Sequence, residues 1–320
     1  MRVLTKSIAT AVLATASFIA FSNPAEAGVG DLLVAPTRIV LDGRKGAEIV
    51  LNNIGDEPAV YRVSVEFRRM TADGGLEDVT QPTAADQTAA DMIVYAPRRV
   101  TLAPREPQAI RIAARAPQGL PDGEYRVHLL FRAIPPATPV IPAAMPEQEK
   151  GLRFQLTPVY GVTIPVIVRL GNLQATAGIA NVHLDKKRDH PVVPGQHPDD
   201  PVVALDLSRT GTRSTYGDVK VFKAGVKDPI AFQRGVAVYT EINTRHVSVP
   251  IADADLQKKS PAELVTMAQE MGIEGASTMS KQDLMFSILK ARVAGPVTVQ
   301  YVETSDDGSH VIAETRAILR

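Results

Sequence analysis

The chain has 320 residues, with Lys plus Arg and Asp plus Glu balanced at 35 each, no Cys and no Trp. That balance excludes a global field drawing the protein to nucleic acid or to an anionic membrane. The missing cysteines exclude disulfides and thiol chemistry, so the fold has to be held by core burial alone.

Residues 1–27 read as a secretory export signal. Arg2 and Lys6 form a positive n-region, Ile8 to Phe21 carries no charge, and Ala25-Glu26-Ala27 supplies the small residues of a cleavage site. The uncharged run, about 14 residues, falls short of the roughly 20 that a bilayer span needs. The mature chain is expected to start near Gly28 and to work as a soluble protein outside the cytoplasm, without ATP.

From Gly28 to Leu170 the apolar period is two, which marks strands. Leu32 to Leu41 is one strand candidate, stopped by Asp42-Gly43, and Ala47 to Asn53 is the next. Val60 to Phe67 sets Tyr61, Val63, Val65 and Phe67 on one face against polar neighbours. Thr71 to Asp91 reads as a polar loop. Arg99 to Leu102, Ala109 to Ala114 and Tyr125 to Ile134 follow as strands, and the prolines between Ala137 and Lys150 forbid a helix there. Short strands at this spacing point to an immunoglobulin-like β-sandwich over 28–170. A second β module, 171–320, carries candidates at Leu173–Leu184, Val202–Leu207, Tyr216–Phe222, Gly235–Ile242, Val247–Ile251, Pro296–Val302 and His310–Leu319. The polar, Pro-rich stretch Asp185 to Pro201 between the first two reads as a loop.

Residues 252–294 break the strand pattern. Ser260-Pro261-Ala262-Glu263 is a capping box with proline in the first turn. Leu264, Met267, Ala268 and Met271 follow at helical spacing to Gly272, and a second helix starts at Ser280. The fold class is therefore mainly β: two tandem immunoglobulin-like sandwiches, the second interrupted by a helical hairpin.

Four stretches of the first module resemble the PapD-like periplasmic chaperones of the chaperone–usher pathway. They are Pro36 to Val40, Tyr95 to Leu102 with Gln108 to Ile112, Leu120 to Tyr125 running on to Pro135, and Gly161 to Arg169. The resemblance implies a chaperone that lends an edge strand to pilin-like subunits lacking one, then passes them to an outer-membrane usher. Main-chain hydrogen bonds give such binding its affinity, and alternate side chains fill the client's pockets. Leu152, Phe154 and Leu156 alternate beside the proline-rich loop and are the expected donor residues, with Tyr160 continuing the same parity. The same parity also suits packing into this domain's own core, because period two does not say which face is covered. Arg38 matches the family arginine that grips the client's terminal carboxylate, a role suited to a planar, permanently charged guanidinium. A solvated strand arginine is the other reading. The family pairs that arginine with a lysine, whereas Pro165 holds the matching position here. Glu124 and Arg169 match a structural ion pair near the domain junction.

The helical insert, from Ser260 to Val293, resembles the small N-terminal module of transcription terminator Rho. Lys258, Lys259, Lys281, Lys290 and Arg292 are offset by Glu263, Glu270, Glu274 and Asp283, and Phe286 is the one aromatic for stacking. This balance favours a protein-contacting or merely tolerated insert over nucleic-acid binding. The rival function is an exported adaptor acting through that hairpin; a polymerising surface protein and a metalloenzyme are the remaining alternatives. His183, His190 and His197 stand seven apart among aspartates, a spacing that matches no known metal-ligand pattern. No catalytic constellation, metal site or cofactor motif is found, so the protein is read as a binder without cofactors.

Overall fold

A computed structural model describes residues 31–135, 159–186, 201–251, 256, 258–305 and 308–320. The export signal, the proline-rich loop after Pro135, and Leu152, Phe154 and Leu156 lie outside the described residues, as does most of the Asp185–Pro201 stretch.

The first sandwich opens with β1 (Leu32–Ala35) and β2 (Ile39–Leu41), where the sequence suggests one continuous strand. Pro36 accounts for the break, since it has no N–H to give a ladder. The chain crosses there from one sheet to the other. β1 pairs antiparallel with β3 (Ala47–Asn53), with Leu33 opposite Asn52. The chain continues through β4 (Ala59–Glu66), the short β5 (Arg68–Met70) and β6 (Leu76–Asp78), then helix α1 (Ala84–Met92) and β7 (Ile93–Ala96). β8 (Arg99–Leu102), β9 (Pro107–Ala114), β10 (Gly123–Ile134) and β11 (Gly161–Leu170) complete the domain. One sheet has the order β1-β3-β9-β7 and the other β2-β11-β10-β4-β8. The alternating residues Ile49, Leu51, Tyr61, Ile110, Leu129 and Phe131 meet between them, each almost fully buried. Burying a side chain of this size contributes roughly 1.5–3 kcal/mol, which is how a disulfide-free domain holds.

The polar segment Thr71–Asp91 is not simply a loop. It contains β6 and α1, and α1 starts with a capping box. Thr83 Oγ1 accepts from Asp86 N at 3.2 Å, and Asp86 Oδ2 accepts from Thr83 N at 2.8 Å. Asp at the third helical position can reach back where Glu or Gln is usual.

The second sandwich uses β12 (Ala175–Lys186), β13 (Pro201–Gly211), β14 (Thr215–Lys223), β15 (Ala231–Val238), β16 (Thr244–Pro250), β17 (Gly295–Ser305) and β18 (Gly308–Leu319). Its sheets have the orders β12-β13-β16 and β15-β14-β17-β18, around Val203, Leu207, Val221, Val238, Val249 and Val299. β15 ends at Val238 rather than Ile242, because the chain turns there and Ile242 N bonds to Tyr239 O at 3.2 Å.

Helices α2 (Pro261–Glu270) and α3 (Lys281–Val293) interrupt the chain between β16 and β17. Ser260 and Glu263 form the capping box, with Ser260 N donating to Glu263 Oε2 at 2.7 Å. The hairpin buries its own cluster, including Leu264, Ala268, Leu284 and Ile288, while Val293 belongs to the sandwich core. The insert is thus a small core of its own beside the second domain.

The hairpin β5–β6 pairs Arg68 with Asp78 and Met70 with Leu76, and it clasps the two domains together. Met70 N donates to Glu241 Oε1 at 2.8 Å, and His246 N donates to Ala72 O at 2.7 Å. Gly74 sits at its tip with φ +85°, and a Cβ there would overlap the Arg245 guanidinium. Arg245 is held in turn by a 2.7 Å bond to Ala237 O. Gly74→Ala is therefore expected to cost about 1–3 kcal/mol, combining a strained left-handed backbone with a displaced clasp. Chemical unfolding of the mature chain checks it, and an unchanged midpoint would remove the clasp argument.

Candidate functional site

The junction between the sandwiches holds a cleft of about 650 Å³ lined by residues of both domains, among them Thr37, Arg38, Arg169, Arg213, Tyr216 and Glu303. Its floor is a polar knot centred on Ser214, a fully buried residue just before β14. Ser214 N and Oγ both donate to Glu124 Oε2, at 3.0 and 2.9 Å. Arg169 Nε donates to the same oxygen at 2.9 Å. Arg169 Nη2 reaches Ser214 O at 3.0 Å and Ser214 Oγ at 3.3 Å. Arg213 Nη1 donates to Ser214 O at 3.2 Å, and its guanidinium forks onto Glu303 at 2.7 and 2.9 Å. Those bonds hold the Arg213 pKa above its ordinary value.

Arg38 approaches the knot from the start of β2. Its guanidinium lies over the Tyr216 ring, 4.5 Å from the centroid, and Nη2 donates to Ser214 Oγ at 3.5 Å. Burial lowers its pKa from the ordinary value; the nearby Tyr239 opposes this and the Arg169 charge adds to it. Its buried Nε has no hydrogen-bond partner among the described residues. Three guanidiniums thus converge on one hydroxyl-bearing residue with two carboxylates, Glu124 and Glu303, in contact with them. Arg38 is the cation without a carboxylate partner among the described residues. The cleft carries one positive charge in excess.

A second feature lies beside it. β11 is fully paired on one side, Gly161 to Leu170 against β10, but β2 covers its other side only from Val166 to Val168. Residues 161–165 therefore present an open edge among the described residues. β2 occupies the continuation of that edge, with Ile39 opposite Val166. A foreign strand laid along 161–165 must stop short of Ile39, next to Arg38. Run parallel to β11, it would bring its C-terminus there.

Tyr160 precedes β11, is 53% exposed, and accepts from Ala133 N at 3.0 Å, so it prolongs the ladder beyond the strand. Its even parity leads into Val162, Ile164, Val166 and Val168, which pack into this domain's core. Ile167 faces the opposite way and meets Met70, Ala237 and Tyr239 at the domain junction. Sequence reasoning missed Ser214, Arg213, Tyr216 and Glu303. They come from the second module, and nothing in their spacing announces the first module's arginines.

Fold and site together define a two-domain, immunoglobulin-like protein with a cationic interdomain cleft and a strand edge left open among the described residues. Pilus chaperones are among the solved structures it is similar to. They include the YadV chaperone, at 12% identity and TM-score 0.40, covering 90% of this chain and 100% of the other. The Pseudomonas aeruginosa CupB2 chaperone aligns at 12% identity and TM-score 0.39, again over 90% and 100%. The CsuC–CsuE chaperone–tip adhesion subunit pre-assembly complex of Acinetobacter baumannii aligns at 10% and 0.39, over 90% and 97%. Superposition at that level is loose, so the fold rests on the strand order and register given above. Residues 255–296 match the family model of the Rho termination factor N-terminal domain. The chain is also 45% identical over 38 residues to transcription termination factor Rho of Acidithiobacillus ferridurans, a match covering 12% of this chain and 66% of that relative's length. No helix among the described residues is long and apolar enough to cross a membrane.

Proposed function

We propose that the protein is a periplasmic chaperone that holds pilin-like subunits by lending them an edge strand, then hands them to an outer-membrane usher. The observation that carries this reading is the edge of β11, open among the described residues, ending at a half-buried arginine with no carboxylate partner among them. An exposed row of backbone N–H and C=O groups is a liability unless a partner covers it. A client whose own sandwich lacks a strand needs that row and supplies the partner. The reaction is binding without bond cleavage, which suits a compartment without ATP, and it requires no cofactor.

The donor residues under this reading are Leu152, Phe154 and Leu156, which lead toward β11, with Tyr160 at its threshold. Arg38 anchors the client's terminal carboxylate, and Glu124 with Arg169 keeps the domains in register. The mature chain, co-expressed with neighbouring exported proteins, should co-purify with a β-rich subunit. Phe154→Asp places a charge in an apolar pocket of the client and should abolish that co-purification while leaving the circular dichroism and unfolding midpoint unchanged. A partner retained by the folded variant would overturn the donor assignment.

A further inference from the structure

We infer that Arg38 and Arg169 together form a two-arginine carboxylate fork, so that the residue fastening the two domains also grips the client's C-terminus. This rests on the strand-lending reading above and specifies how its anchor is built.

Pro165, one residue before the stretch of β11 that β2 covers, has no charge and no N–H, so β11 offers no cation there. Arg169 shares a partner with Arg38: both guanidiniums donate through Nη2 to the single Ser214 hydroxyl, at 3.5 and 3.3 Å. Arg169 spends Nε on Glu124 and Nη2 on Ser214, which leaves Nη1 with no hydrogen bond drawn from it among the described residues. Arg38 has Nη1 in the same position. Both residues line the one cleft. Two like charges this close are tolerated because Glu124 neutralises one and the Tyr216 face supports the other. The remaining positive charge calls for a single anion. A chain terminus arriving along β11 stops beside Arg38, and a carboxylate there has an oxygen for each guanidinium.

Client loading and domain locking would then share one network. Ser214 belongs to the second domain, whereas Arg38, Arg169 and Glu124 belong to the first. A bound carboxylate draws both arginines against Ser214 and favours the observed domain register.

The test uses an acetylated hexapeptide of alternating valine and threonine, once with a free C-terminal carboxylate and once as its amide. Each is titrated into the mature chain while the arginine Nε–H and β11 amide resonances are followed. The acid should bind about tenfold or more tighter than the amide, the margin expected of charge-assisted hydrogen bonds. It should move the Arg38 and Arg169 signals together. Arg38→Gln should erase the preference for the acid, and Arg169→Lys, which keeps the charge beside Glu124 but loses the planar fork, should reduce it. Equal binding of acid and amide with shifts along β11 would overturn the fork and leave strand lending intact. Movement of Arg38 with Arg169 unmoved would equally overturn it. So would binding of neither peptide, in which case strand lending is judged on co-purification with the subunit.

Discussion

Glu124→Ala is expected to destabilise the protein by about 3–5 kcal/mol, the range for removing one partner of a buried ion pair. The Glu124 side chain is 1% exposed, and its Oε2 accepts from Arg169 Nε, Ser214 N and Ser214 Oγ. Alanine leaves the Arg169 charge facing Arg38 with only the Ser214 hydroxyl between them. It also orphans the Ser214 amide, a buried donor whose loss of partner costs about 1–3 kcal/mol by itself. Glu124→Gln keeps an acceptor for Ser214 and removes only the charge, so its effect should be smaller. Because Ser214 stands in the other sandwich, the loss falls on the junction as well as on total stability. Denaturant unfolding of the mature chain should show an earlier midpoint and a broader transition, as the domains begin to unfold separately. A double-mutant cycle with Arg169 should return a coupling of the order of 1 kcal/mol or more. A midpoint shift worth under about 1 kcal/mol, with cooperativity kept, would show that the knot does not hold the domains.

Local features were legible wherever one residue type dictates backbone geometry. Ala47–Asn53 reads as a strand from its alternation and forms β3 over those same residues. Ser260 with Glu263 announces α2, because a capping box is a contact between residues three apart. The break at Pro36 is masked in the sequence by apolar residues that continue on both sides of it. α1 was hidden by its composition: an Ala/Asp/Thr run has weak amphipathicity, and Asp86 is drawn on by Arg69 as well as by the cap, at 2.5 Å. Arg38 stands out in the sequence only through the family resemblance, because its partners Ser214 and Tyr216 lie far along the chain. The Ser214 knot joins residues 38, 124, 169 and 214, so no window of the sequence contains it. Period two likewise marks β11 as a strand without saying how far β2 covers its edge.

The second large effect is a loss of stability on mild acidification, centred on His128. This residue is almost fully buried on β10, between Glu66 of β4 and Pro165 of β11, and neither ring nitrogen has a hydrogen-bond partner among the described residues. Burial, reinforced by Arg126, Arg68 and Arg69 and only partly opposed by Glu241, pushes its pKa down from 6.5 to about 3. The imidazole is therefore neutral in the fold at any pH above that. The unfolded chain takes up a proton as pH falls through 6.5, so the unfolded state binds more protons between pH 6.5 and 3. Stability is complete above that window and declines as pH drops through it, by up to about 1.4 kcal/mol per pH unit. Going from pH 7 to pH 5 should remove roughly 2 kcal/mol by this route. Carboxylates with lowered values, such as Glu241, weaken the fold only at lower pH, because their unfolded partners titrate from 4.5 downward. Across the interval from 7 to 5 these carboxylates therefore contribute little beside the buried imidazole. His128→Leu fills a similar volume with no titrating group, and its unfolding free energy should change far less across that interval than the parent's. Parallel curves for the two proteins would show that the ring is hydrated or paired in solution and that acid sensitivity arises elsewhere.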